Sequence, residues 1–401
     1  MNNNISEIWL PWSKSLRNRE WILRFLSENT LPLCSSSDES EDSLRLYDVL
    51  QDLLSNKRKN FDCGNAGTVS RFLLALLATR PGEWYLTGSA RLYERPMSGL
   101  IQALRSLGAR IECIRESGCF PVRVQGSKLH GGILNMMHEQ SSQFVSALML
   151  IGSELSEPLT ILTQYPFQSQ PYIDLTVNMV NRFGGNIVHH SKGYFIIPSS
   201  LRVPFLSTRE RDWSSASYFY GMLALNPSGK VFFPDLTLNS LQGDRVVATF
   251  FSELGISTHE TPNGIVIEPQ PKQTTRFVHN FSAYPDLVPT FAVVLSLLHI
   301  PSVLTGVESL VHKESDRLSV LIEGLNALGY EAYYDGGLVL QPVYPPTDCP
   351  VNIDTRNDHR MVMAFALAKK QHPLLELSHR SSVIKSFPSF WDYATLFGWN
   401  G

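Results

Sequence analysis

Three side chains able to move protons, Asp286, Glu314 and His359, stand in short segments that also carry Lys313, Arg317 and Arg360. Five more cations, Lys14, Arg19, Arg71, Arg95 and Lys385, lie in or beside similar segments of a chain whose net charge is −3. Cations gathered into particular segments of a slightly acidic protein point to a substrate with several negative charges. Guanidinium forks match carboxylate and phosphate in two-point contacts, and carboxylates beside them can serve as general acid and base. The chemistry expected is transfer involving a phosphorylated, carboxylated small molecule. None of the usual metal-ligand spacings occurs, so no metal and no cofactor are expected.

The elements that must position these groups recur along the chain. Apolar helical patterns open at Gly67-Thr68, Ser141-Ser142-Gln143, Ser214-Ser215, Asp286 and Asn357-Asp358, at intervals of 71 to 74 residues. A sixth start, Ser13-Lys14-Ser15, comes only 54 residues before the second, which makes the first unit short. Each of the five regular helices is followed by a short strand pattern and a second helix. That second helix ends in a bulky residue and a glycine: Leu107-Gly108, Phe183-Gly184, Leu254-Gly255, Leu328-Gly329 and Phe397-Gly398. Glycine just past a helix takes the left-handed conformation that stops it. In three units the glycine is expected to lead into a β-hairpin. Six helix–strand–helix–hairpin units, three per domain, predict an α/β protein of two domains. The unit-opening residues suit N-caps or leave the backbone bare, so six helix N-termini, three per domain, are expected to attract phosphate and carboxylate.

The same segments resemble those of a known family. Ser13-Lys14-Ser15-Leu16-Arg17-Asn18-Arg19, Gly64-Asn65-Ala66-Gly67-Thr68, Glu94-Arg95-Pro96, Ser141-Ser142-Gln143-Phe144, Asp212 to Tyr218, Pro285-Asp286, Lys313-Glu314-Ser315-Asp316-Arg317 and Asn357-Asp358-His359-Arg360 are similar, in order, to the motifs of the EPSP synthases (3-phosphoshikimate 1-carboxyvinyltransferases). The resemblance implies the enolpyruvyl transferase fold, an inside-out α/β barrel of two domains, each with three βαβαββ repeats. It places one domain at residues 12–211, with the first repeat truncated, and the other at 1–11 and 212–401. The N-terminal strand then belongs with the C-terminal half, and crossovers near Pro11-Trp12 and Arg211-Asp212 act as a hinge for closure over charged ligands.

What the resemblance implies for function is transfer of the enolpyruvyl group of phosphoenolpyruvate to the 5-hydroxyl of shikimate 3-phosphate, in the shikimate pathway to chorismate and the aromatic amino acids. Carried over residue by residue, Lys14, Ser15, Arg19, Ser141, Ser142, Gln143, Ser169, Tyr172, Asp286 and Lys313 would hold shikimate 3-phosphate. Lys14, Gly67, Arg95, Gln143, Arg317, Arg360 and Lys385 would hold phosphoenolpyruvate, beside Glu314 and His359. The catalytic set would be Lys14, Asp286, Glu314 and His359. Glyphosate, a phosphonate with a carboxylate, is expected to compete with phosphoenolpyruvate.

Plainer readings of single residues stand beside these. Asp286 reads equally as an N-cap, Glu314 and Arg317 as a surface ion pair at i, i+3, and Lys385 as a loop lysine. Trp213 and Tyr218 read as packing residues. The chain also departs from its family's pattern: Trp12 replaces a usual glycine, Ser309 a common asparagine and Val311 a frequent arginine. Between Leu54 and Cys63 there is no room for the first repeat's hairpin. UDP-N-acetylglucosamine enolpyruvyl transferases share the fold but use a loop cysteine, and Gly88 to Pro96 contains none. A non-catalytic scaffold would have no use for Lys14, Asp286, Glu314 and His359 together.

The remaining composition bounds the protein's surroundings. With 401 residues, 43% hydrophobic and 18% charged, it has apolar surface for more than one core. Five cysteines without CxxC spacing suggest neither a disulfide framework nor zinc, which fits a reducing cytoplasm. No signal pattern or membrane-length apolar run is read, and no nucleic-acid or membrane partner is expected. The protein is expected to be a cytoplasmic monomer.

Overall fold

The computed structural model describes residues 5–34, 38–139, 141–205, 209–346 and 348–399. Its chain divides into two compact units. One comprises Met1–Ser13, Ser37–Glu41 and Glu210–Gly401, the other Lys14–Ser36 and Asp42–Arg209. The inclusion of Ser37–Glu41 in the first of these was not legible in the sequence.

The chain opens with β1 (Ile5–Glu7), which pairs in parallel with a strand of the C-terminal half. The second unit then begins with two helices, α1 (Lys14–Glu28) and α2 (Glu41–Leu54). A regular repeat follows: β2 (Asn60–Asp62), α3 (Gly67–Ala78), β3 (Gly82–Thr87), α4 (Ala90–Glu94), α5 (Ser98–Ser106), β4 (Arg110–Cys113) and β5 (Val122–Gly126). The next has β6 (Gly132–Asn135), α6 (Ser142–Ile151), β7 (Leu159–Leu162), α7 (Gln170–Arg182), β8 (Asn186–His190) and β9 (Gly193–Ile197). Their sheets run β2-β3-β5-β4 and β6-β7-β9-β8, with the first pair parallel and the rest antiparallel.

The other unit repeats this plan. Its first sheet, β1-β10-β12-β11, is built around α8 (Trp213–Leu225), β10 (Lys230–Pro234), α9 (Val247–Glu253), β11 (Ile256–Thr261) and β12 (Gly264–Pro269). The second, β13-β14-β16-β15, comes from β13 (Phe277–Asn280), α10 (Val288–Leu297), β14 (Ser302–Thr305), α11 (Arg317–Ala327), β15 (Glu331–Tyr334) and β16 (Leu338–Gln341). The last repeat has β17 (Val351–Ile353) parallel to β18 (Leu375–Leu377), with α12 (His359–Ala366) between them and α13 (Phe390–Leu396) after. Each parallel pair needs a crossover helix to return the chain, which is why a helix separates its strands.

The first helix of each regular repeat is buried nearly all round, as expected of helices enclosed by sheet. Every residue of α10 and α12 is buried. In α3 only Thr68 escapes full burial and in α6 only Gln143. The five helix-ending glycines all have positive φ, from 79° at Gly398 to 100° at Gly108. Four of them lead into hairpins (β4-β5, β8-β9, β11-β12 and β15-β16), one more than the three read from the sequence. Among the described residues no hairpin joins α2 to β2; residues 55–59 connect them directly.

The segments read as crossovers pair with each other: Ser13 N–H donates to Glu210 O (2.8 Å) and Asp212 N–H to Pro11 O (3.0 Å). Arg211 is buried between them. Its guanidinium lies 3.8 Å from the Trp12 ring centroid and 5.2 Å from that of Trp9, donates to Leu10 O (2.7 Å), and pairs with Asp38 at 3.1 Å. Trp12 therefore covers an arginine cation, a role a glycine cannot fill. Asp38 is 43% exposed, so the ion pair adds little and the ring contact carries the effect. Arg211→Ala is expected to cost about 2 kcal/mol, read as a lower denaturant midpoint, whereas Asp38→Ala should cost roughly 0.5 kcal/mol.

Candidate active site

In the unit containing the C-terminal half, the turn before α10, the segment before α11 and the start of α12 bring their charged residues into one cluster. Asp286 receives Arg317 at 3.1 Å, Arg360 at 2.9 Å and Lys313 at 3.4 Å. Arg317, whose side chain is 1% exposed, also holds Glu314 at 2.6 Å and Asp358 at 2.8 Å. Asp358 is wholly buried and uses its other oxygen to accept the Arg360 backbone N–H at 3.0 Å, which starts α12. One aspartate thus caps a helix and fixes the arginine that links both candidate proton carriers.

Burial alone would raise the pKa of Asp286, but Arg360, Lys313 and Arg317 outweigh it and hold the carboxyl far below the usual carboxylate range. Burial pushes the Lys313 ammonium down, against the pull of Asp286. For Arg317 burial opposes the charge, while Asp358, Glu314 and Asp286 raise its pKa overall.

This geometry revises two of the plainer readings. The helix preceded by Asp286 has Leu287 as its N-cap, with no side-chain cap, so Asp286 spends its carboxylate on cations and does not cap α10. Glu314 and Arg317 form a buried pair, since an arginine 1% exposed cannot be a solvated one. His359 is buried as the first residue of α12, with Nδ1 3.8 Å from Asp358 Oδ1. Lys385 ends a short helical turn, Arg380–Lys385, and donates to Asn357 O at 2.8 Å, which brings its ammonium to the approach of α12. Trp213 and Tyr218 are fully buried; the Trp213 indole donates to Thr237 O and Tyr218 meets Phe390 edge-on. Ser309 Oγ is buried without a hydrogen-bond partner among the described residues.

The other unit holds two groups of site residues. Around Gly67, the first residue of α3, Arg95 donates to Asn65 O (3.2 Å), Arg71 donates to Gln143 Oε1 (2.7 Å) and Gln143 donates to Thr68 Oγ1 (3.1 Å). Thr68 and Gln143, the two breaks in otherwise buried helices, therefore meet each other. Arg71 and Arg95 are only 4% exposed. Elsewhere Arg19, 2% exposed, ties α1 to α6 and α7 by donating to Ser15 O, Thr176 Oγ1, Ser146 Oγ and Tyr172 O. Burial lowers its pKa to about 9, still far enough above neutrality to keep it charged. Lys14 opens α1 and pairs with Asp42 at 3.0 Å. Ser141 is the N-cap of α6 without a side-chain cap bond, Ser142 is buried, and Ser169, at φ 59°, is the N-cap of α7, its carbonyl accepting Tyr172 N–H at 3.1 Å.

The helix starts are less uniform than the repeat suggests. No side chain caps α3, α6 or α10, whereas Asp212 accepts from Ser215 N–H at α8 and Asp358 from Arg360 N–H at α12. At α8 and α12 an aspartate already occupies one backbone N–H of the helix start, whereas at α3, α6 and α10 the N-cap residue supplies no side-chain acceptor.

Sequence reasoning passed over Asp358 as a plain cap, counted Arg71 as a cation without a role, and missed Asp42, Ser146 and Thr176. Only Asp358 carried a signal, its place within a motif. The cysteines take no visible part: Cys63 is buried, and burial pushes its thiol up to about 12, away from the thiolate a nucleophile needs. Among the described residues no group of three or more His, Cys, Asp or Glu could hold a metal ion, and no helix is long and apolar enough to cross a membrane.

Comparison with known proteins agrees with the motifs. The family described as EPSP synthase (3-phosphoshikimate 1-carboxyvinyltransferase) matches residues 30–393. The 3-phosphoshikimate 1-carboxyvinyltransferase of Bacteroides fragilis (strain YCH46) is 36% identical, covering 96% of this chain and 93% of that protein. That of Vibrio cholerae serotype O1 (strain M66-2) is 30% identical over 96% and 95%. In structure, the EPSP synthase from Acinetobacter baumannii superposes with a TM-score of 0.73 at 21% identity, covering 98% of this chain and 96% of the other, which shows the two-domain inside-out α/β fold. The chain belongs to the EPSP synthase family, the transferases that carry the enolpyruvyl group of phosphoenolpyruvate to shikimate 3-phosphate.

Proposed function

We propose that this protein performs that transfer with Asp286 and Glu314 as its acid–base pair. The observation that carries the reading is that both carboxylates are held by one buried arginine, Arg317, beside Lys313 and Arg360. Asp286 takes the proton of the shikimate 5-hydroxyl as its oxygen bonds to C2 of phosphoenolpyruvate. Glu314 delivers a proton to C3, with Lys14 assisting. The tetrahedral intermediate then gives up one of its C3 methyl protons to Glu314 as the C2–O bond to phosphate breaks, the departing phosphate takes the proton held by Asp286, and the enol ether is left. Positioning and charge stabilisation by the cations supply much of the rate.

On this reading shikimate 3-phosphate is held by Lys14, Ser15, Arg19, Ser141, Ser142, Gln143, Ser169, Tyr172, Asp286 and Lys313. Phosphoenolpyruvate is held by Lys14, Gly67, Arg95, Gln143, Arg317, Arg360 and Lys385, with His359 in the catalytic set. Arg71 joins the second group through its bond to Gln143. The protein acts as a cytoplasmic monomer. The test is phosphate release, which is expected with phosphoenolpyruvate and shikimate 3-phosphate together and with neither alone. Release with a UDP-sugar in place of shikimate 3-phosphate would overturn it.

Glyphosate is expected to compete with phosphoenolpyruvate, and Gly67 is the position that tests this. A Cβ there would stand 2.4 Å from an Arg71 nitrogen and 2.5 Å from an Arg95 nitrogen. Both are tips of long side chains that can withdraw, so Gly67→Ala should fold yet displace the guanidinium groups. KM for phosphoenolpyruvate should rise about tenfold, the loss of roughly one charged hydrogen bond, and the glyphosate inhibition constant should rise more. Equal inhibition of both forms would remove Gly67 from the pocket.

A further inference from the structure

Arg19 is buried on α1, and every contact it makes leaves its charge in place. A guanidinium has five N–H groups to give. Four are placed: Nε donates to Thr176 Oγ1 at 2.7 Å, Nη1 to Ser15 O at 2.8 Å, and Nη2 to Ser146 Oγ at 3.2 Å and to Tyr172 O at 3.1 Å. The guanidinium carbon also stands 5.2 Å from the ring centroid of Phe72 on α3. Hydroxyls, carbonyls and a ring orient a cation without neutralising it. Among the described residues no carboxylate pairs with Arg19, whereas Arg17, on the same helix and as deeply buried, has Glu20, and Arg317 has Asp286, Glu314 and Asp358. Among the described residues one N–H of Arg19, on Nη1, is left over.

A buried guanidinium is costly unless it is paired or well hydrogen-bonded, and here hydrogen bonds from three helices meet that need. Ser146 comes from α6 and Thr176 from α7, and both are fully buried. Thr176 Oγ1 lies 2.8 Å from Tyr172 O, one turn earlier, and 2.9 Å from Ser146 Oγ; whichever takes its single proton, a lone pair remains for Arg19. An aspartate in either place would hold the arginine as firmly and cancel its charge. We propose that Thr176 and Ser146 are positioning residues for shikimate 3-phosphate: they fasten Arg19 without pairing it, so that it meets the ligand as a fixed, uncompensated cation with one N–H to give. This deepens the ligand assignment of Arg19 proposed above and rests on it. Because that N–H shares Nη1 with the bond to Ser15 O, Arg19 takes a ligand oxygen at one point beside Ser15 and not through a two-pronged fork.

The experiment measures the dissociation constant of shikimate 3-phosphate alone on the whole protein by calorimetry, beside the KM for each substrate. Thr176→Val keeps the shape and a methyl group but has no acceptor for the Nε–H of Arg19. It should weaken shikimate 3-phosphate about tenfold, the loss of one charged hydrogen bond, while KM for phosphoenolpyruvate changes by less than about twofold. Thr176→Ser loses the methyl group and keeps the hydroxyl, so its affinity should stay within about twofold of the wild type. Ser146→Ala removes one of the two acceptors on Nη2 and should weaken shikimate 3-phosphate about fivefold.

Wild-type affinity in Thr176→Val would overturn the proposal, as would a serine variant weaker than the valine one, the order expected if Thr176 only fills space. An equal rise for both substrates would mark a general disturbance of the unit and count against it as well. Thr176→Asp tests the charge: it still accepts from Nε–H but pairs the cation, so its affinity should fall at least as far as that of Thr176→Val, and undiminished binding would show that the ligand does not use that charge. Failure of the underlying assignment is separable: Arg19→Met with unchanged affinity for shikimate 3-phosphate would remove Arg19 from the site whatever Thr176 and Ser146 do.

Discussion

Asp286→Ala is expected to lower kcat by about 10² or more, the scale of a positioned general base, while the protein stays folded. Three cations converge on this carboxylate, and one of them, Arg317, keeps Asp358 and Glu314 when Asp286 is gone. The cluster therefore loses its base without stranding its most buried charge. In the free protein Asp286 is too acidic to be an effective base, because Arg360, Lys313 and Arg317 together override its burial. Its basicity must rise when ligand anions share those cations. Asp286→Asn separates the two roles: it keeps the size of the side chain, should fall as far as alanine in kcat, and should change KM for either substrate much less. Asparagine with near-normal kcat would assign the proton to another group.

Glu314→Ala is expected to reduce kcat by a similar factor, on the order of 10², and to differ in one observable. Incubated with both substrates in deuterium oxide, the wild type is expected to exchange solvent deuterium into the C3 position through the intermediate's methyl group. Glu314→Ala should suppress that exchange, whereas Asp286→Ala should block formation of the intermediate itself. Arg317 stays held by Asp286 and Asp358 in the variant, so stability should change little. Exchange at the normal rate in Glu314→Ala would pass the C3 proton to Lys14. Lys14 is paired with Asp42, which a lysine acting in that role would have to leave.

The repeat was legible because its signals are local. A helix stop needs a positive φ, glycine reaches it at no steric cost, and five bulky-residue–glycine pairs mark five helix ends by chemistry carried on neighbouring residues. The segment bearing Lys313, Glu314 and Arg317 stood out for the same reason, as did the one bearing Asp358 to Arg360. The fourth hairpin was missed because alternation over four to six residues is a weak signal beside a glycine that stops a helix.

What the sequence determined alone was the order of elements, the repeat and the types of residue gathered at its helix starts, each set by residues within a few positions of one another. Only the tertiary structure decided how those residues are used. Asp286 could cap a helix or bind cations, and the arrival of Arg317 and Arg360 from 31 and 74 residues away made it the second. Trp12 stood out in sequence only as a departure from glycine, and Arg211, 199 residues on, is what its ring covers. Burial and charge at a point in space sum over whatever the fold brings there, irrespective of distance along the chain, and so no local stretch of sequence carries them.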